Sequence, residues 1–213
     1  FDNDELSFIA ELLQRHDAYA VCDEVYEHLV FDAHRHTPLI TLPGMRERCL
    51  KIGSAGKTFS LTGWKVGYIT AAPKLLQAAA KAHQFLTFTT PPNLQRAVAY
   101  GLGKDDAYFT ALAGDLAHKR DLLGQGLRGI GFEVFETQGT YFICADIRPL
   151  NTGLDDVAFC RDITINAKVT AIPLSAFYAA GGPKHFVRFA FCKEDETLRT
   201  AIQRLTAYFK NRG

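Results

Sequence analysis

The chain has 213 residues, 47% of them hydrophobic and 22% charged, with 24 Lys plus Arg against 23 Asp plus Glu. That length buries a substantial core, in one large domain or two small ones. A formal net charge of +1 excludes whole-molecule steering to nucleic acid or to an anionic membrane. No apolar run is long enough to span a bilayer.

The chain opens FDNDEL, which reads as the start of a helix. There is no initiator Met (the only Met is Met45) and no signal-peptide pattern, so a cut N-terminal end is expected. Asp2 or Asp4 caps a helix running to about His16, with Leu6, Ile9, Leu12 and Leu13 on one face. AYAVCD is a short buried strand ending in acid. CLKIGS, residues 49–54, is a second strand, and WKVGYITA, 64–71, a third. Pro73 opens a helix, TTPPN breaks it, and Asn93 caps the next, LQRAVAYGL. Strands and helices alternating in this way predict an α/β sheet, mostly parallel.

After Lys104 the pattern changes. A long helix is expected from about Asp105 to Leu127, ending in glycines. FEVF, YFICADI, VTAIPL and FVRFAF read as strands. Asp155 to about Ala167 reads as a helix, and Glu194 to Lys210 as an amphipathic one with Leu198, Ile202, Leu205 and Phe209 at helical spacing. This half predicts a small α+β domain. The boundary is placed near residue 118, giving domains 1–118 and 119–213.

Cys22, Cys49, Cys144, Cys160 and Cys192 make an odd count, and no two stand at CxxC spacing. They read as reduced, mostly buried thiols of a cytoplasmic protein rather than a disulfide framework or a zinc site. His34-Arg35-His36 reads as a polar surface loop, because no carboxylate or third histidine stands nearby at ligand spacing. No metal is expected.

Three places carry chemistry. Asp23 closes a strand of an α/β sheet, facing the crevice where such sheets bind ligands, and Tyr26 follows three residues on. Asp23 either meets a cationic ligand atom or caps its own turn. In GSAGKTFSLTGWKVGY, 53–68, the small residues Ser54, Ala55 and Gly56 allow close backbone approach and offer donors to an anion. Lys57 follows directly, and Lys65 returns eight residues later. The spacing departs from G-x-x-x-x-G-K-[ST], which disfavours nucleotide hydrolysis. Lys57 is then a covalent amine, a phosphate contact or a solvated loop cation. Arg188, inside the apolar strand FVRFAF, is costly unless paired. It either closes an internal ion pair or grips a ligand carboxylate with its two-pronged guanidinium.

The order Asp23-Glu-x-Tyr26, Ser54-x-Gly-Lys57-Thr-Phe, Gly63-Trp-Lys65-x-Gly-Tyr, then Arg188, resembles the class I/II aminotransferases of fold type I, which use pyridoxal 5′-phosphate. The GSAGKTFS and TGWKVG segments, with GTYFICADI and IPLSAFY, are most similar to the kynurenine/glutamine transaminase and methionine aminotransferase branch. The resemblance covers essentially the whole chain, and about the C-terminal half of such an enzyme. In the family, a glycine-rich phosphate loop, a ring stacked on the pyridine and an NPTG-type asparagine all precede the equivalent of Phe1. Gly56 stands where many relatives carry serine, and Lys65 where many carry arginine.

The resemblance implies that Lys57 forms the Schiff base with the cofactor and moves the proton at the substrate α-carbon. Asp23 keeps the pyridine nitrogen protonated, and Tyr26 donates to the ring oxygen. Ser54 and Lys65 hold the phosphate, and Arg188 grips the substrate α-carboxylate. The implied activity is amino-group transfer from an amino acid to a 2-oxo acid, by a cytoplasmic homodimer. The same apparatus supports C–S β-elimination, and related domains serve as effector-sensing parts of transcription regulators. An inactive truncated fragment is the fourth reading. Phe177 and Tyr178 either line the substrate side or pack.

Overall fold

The structure, a computed structural model, describes residues 1–210. It forms two compact units, Phe1–Phe109 and Thr110–Gly213. The division falls near the start of the same long helix on which the sequence expectation put it, at residue 118. The last three residues of the expected second domain lie outside the described residues.

In the first unit, α1 (Asn3–Arg15) starts on a capping box. Asp2 Oδ1 accepts from the Glu5 N–H at 2.8 Å, and Glu5 Oε2 accepts from the Asp2 N–H at 2.8 Å, so two otherwise orphaned donors are satisfied reciprocally. Its apolar face, Leu6 and Ala10 with Ile9 and Leu13, packs on Leu39, Met45, Cys49 and Cys22. Three strands follow: β1 (Ala20–Asp23), β2 (Cys49–Ser54) and β3 (Gly67–Ala71). They lie in the order β1-β2-β3. β1 and β2 are parallel, while β2 and β3 are antiparallel. The sheet in this unit is therefore mixed.

The third strand starts later than its sequence suggests. Thr62–Trp64 form a 3-10 turn, and Lys65 takes a left-handed backbone (φ +56°), which an extended ladder cannot accommodate. Between β2 and that turn lies α2 (Ala55–Thr58). α3 (Pro73–Leu86) and α4 (Pro92–Leu102) complete the unit. Asn93 does not cap α4. Pro91 does, with Pro92 at the first helical position, where its fixed φ suits the helix and its missing N–H costs nothing.

α5 (Asp106–Ile130) passes Gly129 and ends, as expected, at a glycine: Gly131 has φ +116°, and its N–H turns back to the Leu127 and Arg128 carbonyls at 3.2 and 3.0 Å. Gly126 is there for contact: a Cβ on it would sit 2.5 Å from Ile202 Cδ1. In the second unit, β4 (Glu133–Val134), β5 (Phe142–Asp146), β6 (Ile172–Pro173) and β7 (Phe186–Ala190) form an antiparallel sheet in the order β4-β5-β7-β6. α6 (Asp156–Asp162) passes into a π-helical turn, Ile163–Ala167, and α7 (Asp195–Lys210) closes the described chain. The VTAIPL strand shrinks to two residues. The Val169 N–H turns back to the Ile163 carbonyl at 3.3 Å, and Pro173 confines the rest to a sheet edge. Phe132 makes edge-on contacts with Phe159, Phe189 and Phe209 at 6.0, 5.7 and 6.0 Å between centroids. With Ile143, Val187, Leu198 and Leu205 this forms the core.

All five cysteines are free thiols. Burial, the neighbouring Cys22 and the charge of Glu24 push the Cys49 thiol up to about 12. Burial and the charge of Asp156 push Cys160 up to about 12 as well. Cys192 is exposed. Iodoacetamide at neutral pH is expected to label Cys192 first and to leave Cys49 and Cys160 untouched until the protein unfolds, because only the thiolate attacks. Peptide mapping after timed labelling reads the order, and equal rates at Cys49 and Cys192 contradict it.

Among the described residues no helix is long and apolar enough to cross a membrane. No three His, Cys, Asp or Glu gather there to hold a metal. One expectation changes: the fold does bring a carboxylate to His36. Its Nε2 lies 2.9 Å from Glu24 Oε2, twelve residues away in sequence.

Candidate active site

Strand register assembles the candidate site. Asp23 pairs with Ile52 at the C-terminal end of β1, and Ser54 pairs with Gly67 where β2 ends and the antiparallel β3 begins. The C-terminal ends of two strands and the start of the third therefore share one end of the sheet. Lys57 stands three residues past Ser54 on α2, and Lys65 two residues before β3. Backbone bonds seal this end: the Glu24 N–H donates to the Ile52 carbonyl at 3.0 Å, and the Ala55 N–H to the Val66 carbonyl at 3.2 Å. Tyr26 lies in the turn that immediately follows β1.

The segment carrying Lys57 is held from beneath. Ala55, Val66 and Val98 are buried together, with Phe59, Leu61 and Leu94 packed on them. Thr58 is buried, and its hydroxyl donates to the Ser54 carbonyl at 3.3 Å. Gly56 has no room for a side chain: a Cβ there would sit 2.9 Å from Thr62 Cα. Glycine at this position is thus what lets the chain of the 3-10 turn lie against α2. Lys57 itself is half-buried, whereas Lys65 and Asp23 are exposed. Lys65 keeps a left-handed backbone without being glycine, a strain of roughly 1 kcal/mol that such positions carry at functional sites.

The donor set has a definite chemistry. Ser54 makes no capping bond with its hydroxyl. That hydroxyl and the Lys65 ammonium suit a phosphate. Lys57 offers a primary amine between them in sequence, and the exposed Asp23 carboxylate suits a protonated ring nitrogen. The residues present therefore fit a phosphorylated, cationic ring carrying an aldehyde.

Arg188 belongs to the second unit, on β7 between Cys144 of β5 and Ile172 of β6. It forms no internal ion pair among the described residues. Its guanidinium instead lies over two rings, 4.4 Å from the Phe142 centroid and 4.8 Å from that of Phe177. Cation–π contact of this kind holds the plane without using the N–H donors, which leaves them for an in-plane acceptor. Phe177 is 61% exposed, so packing does not account for it. Phe142 was not singled out by the sequence at all, although the period-2 alternation of FICAD puts it on the same face as Cys144, opposite Arg188. The 3-10 turn Leu174–Phe177 is fixed by Asp156, which is 1% exposed. Its carboxylate accepts from the Ser175 N–H at 2.8 Å, the Ser175 hydroxyl at 3.0 Å and the Val157 N–H at 3.0 Å.

The description "Aminotransferase class I and II" matches residues 1–205. The chain is 45% identical over 212 residues to the "Probable N-succinyldiaminopimelate aminotransferase DapC" of Mycobacterium tuberculosis, covering 95% of this chain and 53% of that protein. It is 36% identical over 228 residues to kynurenine–oxoglutarate transaminase 1 of Mus musculus, covering 98% and 54%. The solved structure of N-succinyldiaminopimelate aminotransferase from Mycobacterium tuberculosis superposes with a TM-score of 0.92 at 43% identity, over 97% of this chain and 54% of that one. The chain thus spans about half the length of the relatives it matches. With its α/β fold and the motif residues at one end of a mixed sheet, it belongs to the class I and II aminotransferases.

Proposed function

We propose that the sheet end bearing Asp23, Tyr26, Ser54, Lys57 and Lys65 holds pyridoxal 5′-phosphate, and that the protein serves amino-group transfer from an amino acid to a 2-oxo acid. One observation carries the reading: the register that gathers the ends of β1 and β2 and the start of β3. The family match supports it. The chain takes the place of the C-terminal portion of such an enzyme, with residues 1–118 contributing to the cofactor-binding domain and 119–213 forming the smaller one. A cytoplasmic homodimer is part of the proposal. The exposed apolar side chains of Phe85, Leu86 and Phe88, beside the TTPPN break, support a second copy.

When bound, pyridoxal phosphate supplies a carbonyl carbon that receives the amino group and a ring that takes up electron density from the substrate α-carbon. Ser54 and Lys65 hold its phosphate by a hydroxyl donor and a point charge. The Asp23 carboxylate stabilises the proton on the ring nitrogen, and the Tyr26 phenol donates to the ring oxygen. Lys57 holds the group through its amine and, once displaced, carries the proton to and from the substrate α-carbon. Arg188 fixes the substrate by its carboxylate, so that one bond at the α-carbon is presented for proton removal.

The test is chemical. The protein is incubated with pyridoxal phosphate, reduced with borohydride and digested. The expected result is a pyridoxyl group on Lys57 and its loss in Lys57→Ala. Equal labelling in that variant, or labelling confined to other lysines, overturns the assignment.

A further inference from the structure

We infer that Glu27, tied to Lys51 and Tyr68, is a positioning residue that fixes the turn presenting Asp23 and Tyr26. The inference rests on the pyridoxal phosphate reading of that sheet end.

Glu27 lies in the turn after β1, and its side chain is 13% exposed. Its Oε2 accepts from Lys51 Nζ on β2, and its Oε1 accepts from the Tyr68 hydroxyl on β3 at 3.1 Å. One carboxylate therefore ties the turn following the first strand to the other two strands. Both oxygens are engaged, so the turn has one favoured position rather than several. His28 also faces Glu27: its Nε2 is 3.9 Å from Oε1, and its ring stacks on Phe109 at 4.4 Å. Burial and the charge of Glu27 push the Tyr68 phenol well above its usual value. It stays a donor throughout the pH range in which aminotransfer is measured.

The neighbouring residues fit this role. Gly53 pairs with Tyr68 across the ladder. A Cβ on Gly53 would sit 2.1 Å from Tyr68 Cε2 and 2.7 Å from its hydroxyl oxygen. The ring therefore lies flat across Gly53, and only glycine lets the phenol reach Glu27. The other end of the turn is fixed as well. Glu24 accepts from the Leu39 N–H at 3.4 Å and lies 2.9 Å from His36 Nε2. The Glu27 N–H donates to the Glu24 carbonyl at 3.0 Å, and the Leu29 N–H to that of Tyr26 at 2.8 Å. Tyr26 thus sits in backbone secured on both sides.

Strand alternation separates this device from the ligand side. Lys51 and Gly53 alternate with Ile52 and Ser54 along β2, and Ile52 is the partner of Asp23. Lys51 and Tyr68 therefore project from the face opposite to Asp23 and Ser54. Glu27 acts through the turn and not by touching the cofactor.

The variants are Tyr68→Phe, which removes one hydroxyl, Glu27→Gln, which keeps an acceptor and removes the charge, and Gly53→Ala, which displaces the ring. In the cofactor-free protein, amide hydrogen exchange at residues 24–28 is expected to speed up by about tenfold or more in each. In the loaded protein, the pH midpoint of the cofactor's visible absorption is expected to move by roughly one unit, since Tyr26 tunes the ring oxygen. Tyr26→Phe should produce the same shift, and combining it with Tyr68→Phe should add nothing further. Unchanged exchange at 24–28 overturns the inference. So does faster exchange with an unmoved midpoint, because that is a purely structural role. If the unaltered protein captures no pyridoxal phosphate on Lys57, the functional reading fails, while the exchange data still decide whether Glu27 anchors the turn.

Discussion

Replacing Asp156 with alanine is expected to cost about 3 kcal/mol of stability. Asp156 is 1% exposed. No cation balances it in the salt bridges of the described residues; its charge rests on two N–H groups and a hydroxyl. Removing it takes the acceptor away from the Ser175 N–H and hydroxyl and the Val157 N–H at once, in a part-buried site. Asparagine is no remedy. One of its two positions becomes an amide nitrogen facing a donor, and if that position is Oδ2 it opposes the Ser175 N–H. A cost of about 2 kcal/mol is expected for that variant. Ser175→Ala loses the hydroxyl alone, for about 1 kcal/mol. Urea unfolding of the three single variants and of Asp156→Ala/Ser175→Ala measures this, and the double variant should fall short of the sum. Equal stability of Asp156→Ala and the parent protein contradicts the account. The consequence for function passes through the turn Leu174–Phe177, since Phe177 is one of the two rings holding Arg188.

Arg188 yields the second large effect. If it closed an internal ion pair, its removal would orphan a carboxylate and cost roughly 3–5 kcal/mol. Its partners are the rings of Phe142 and Phe177, so Arg188→Leu should lose only about 1 kcal/mol of stability. Function should behave in the opposite way. Arg188→Lys keeps the charge and gives up both the planar fork and the stacking. Under the proposed function, the kcat/KM for amino transfer is expected to fall about 100-fold, which corresponds to the roughly 2–3 kcal/mol of a charge-assisted, two-point grip. Arg188→Leu should fall further while remaining folded. Melting temperature and kcat/KM measured on the same preparations separate the two contributions. A leucine variant that keeps parental kcat/KM shows that Arg188 does not grip the substrate carboxylate.

The two halves of the candidate site differ in how visible they were from sequence, for a physical reason. Lys57, Ser54 and Lys65 sit within a dozen residues of one another, in a loop whose small residues and left-handed turn are local properties. Asp23 was legible because it closes a strand of an α/β sheet, although β1 alternates half-buried and exposed residues and is not the buried strand its sequence suggests. Glu27, Lys51 and Tyr68 were not legible, because they belong to three different segments and meet only through the register of β1, β2 and β3. Glu24 and Glu27 stand beside Asp23 in an acid-rich stretch, yet each carboxylate is engaged, one by His36 and one by Lys51 and Tyr68. Phe142 and Asp156 were missed in the same way. Apolar strand residues and helix-start acids are common, and nothing local marks the ones that serve an arginine.

Periodicity and capping residues by themselves determined where most helices and strands lie, because these depend on contacts within a few residues. The capping box of α1, the full extent of β2 and the start of α3 at Pro73 are of that kind. The residue order around Lys57 likewise determined the family. Tertiary structure alone decided the late start of β3, the need for glycine at position 126 inside α5 and the shrinking of β6 to an edge. Each of these follows from a contact between distant segments or a backbone angle that no composition reveals. It alone also decided that the guanidinium of Arg188 is held by rings and that the turn behind Asp23 is tied to the whole sheet, since pairing across strands is set by register and not by neighbours in the chain.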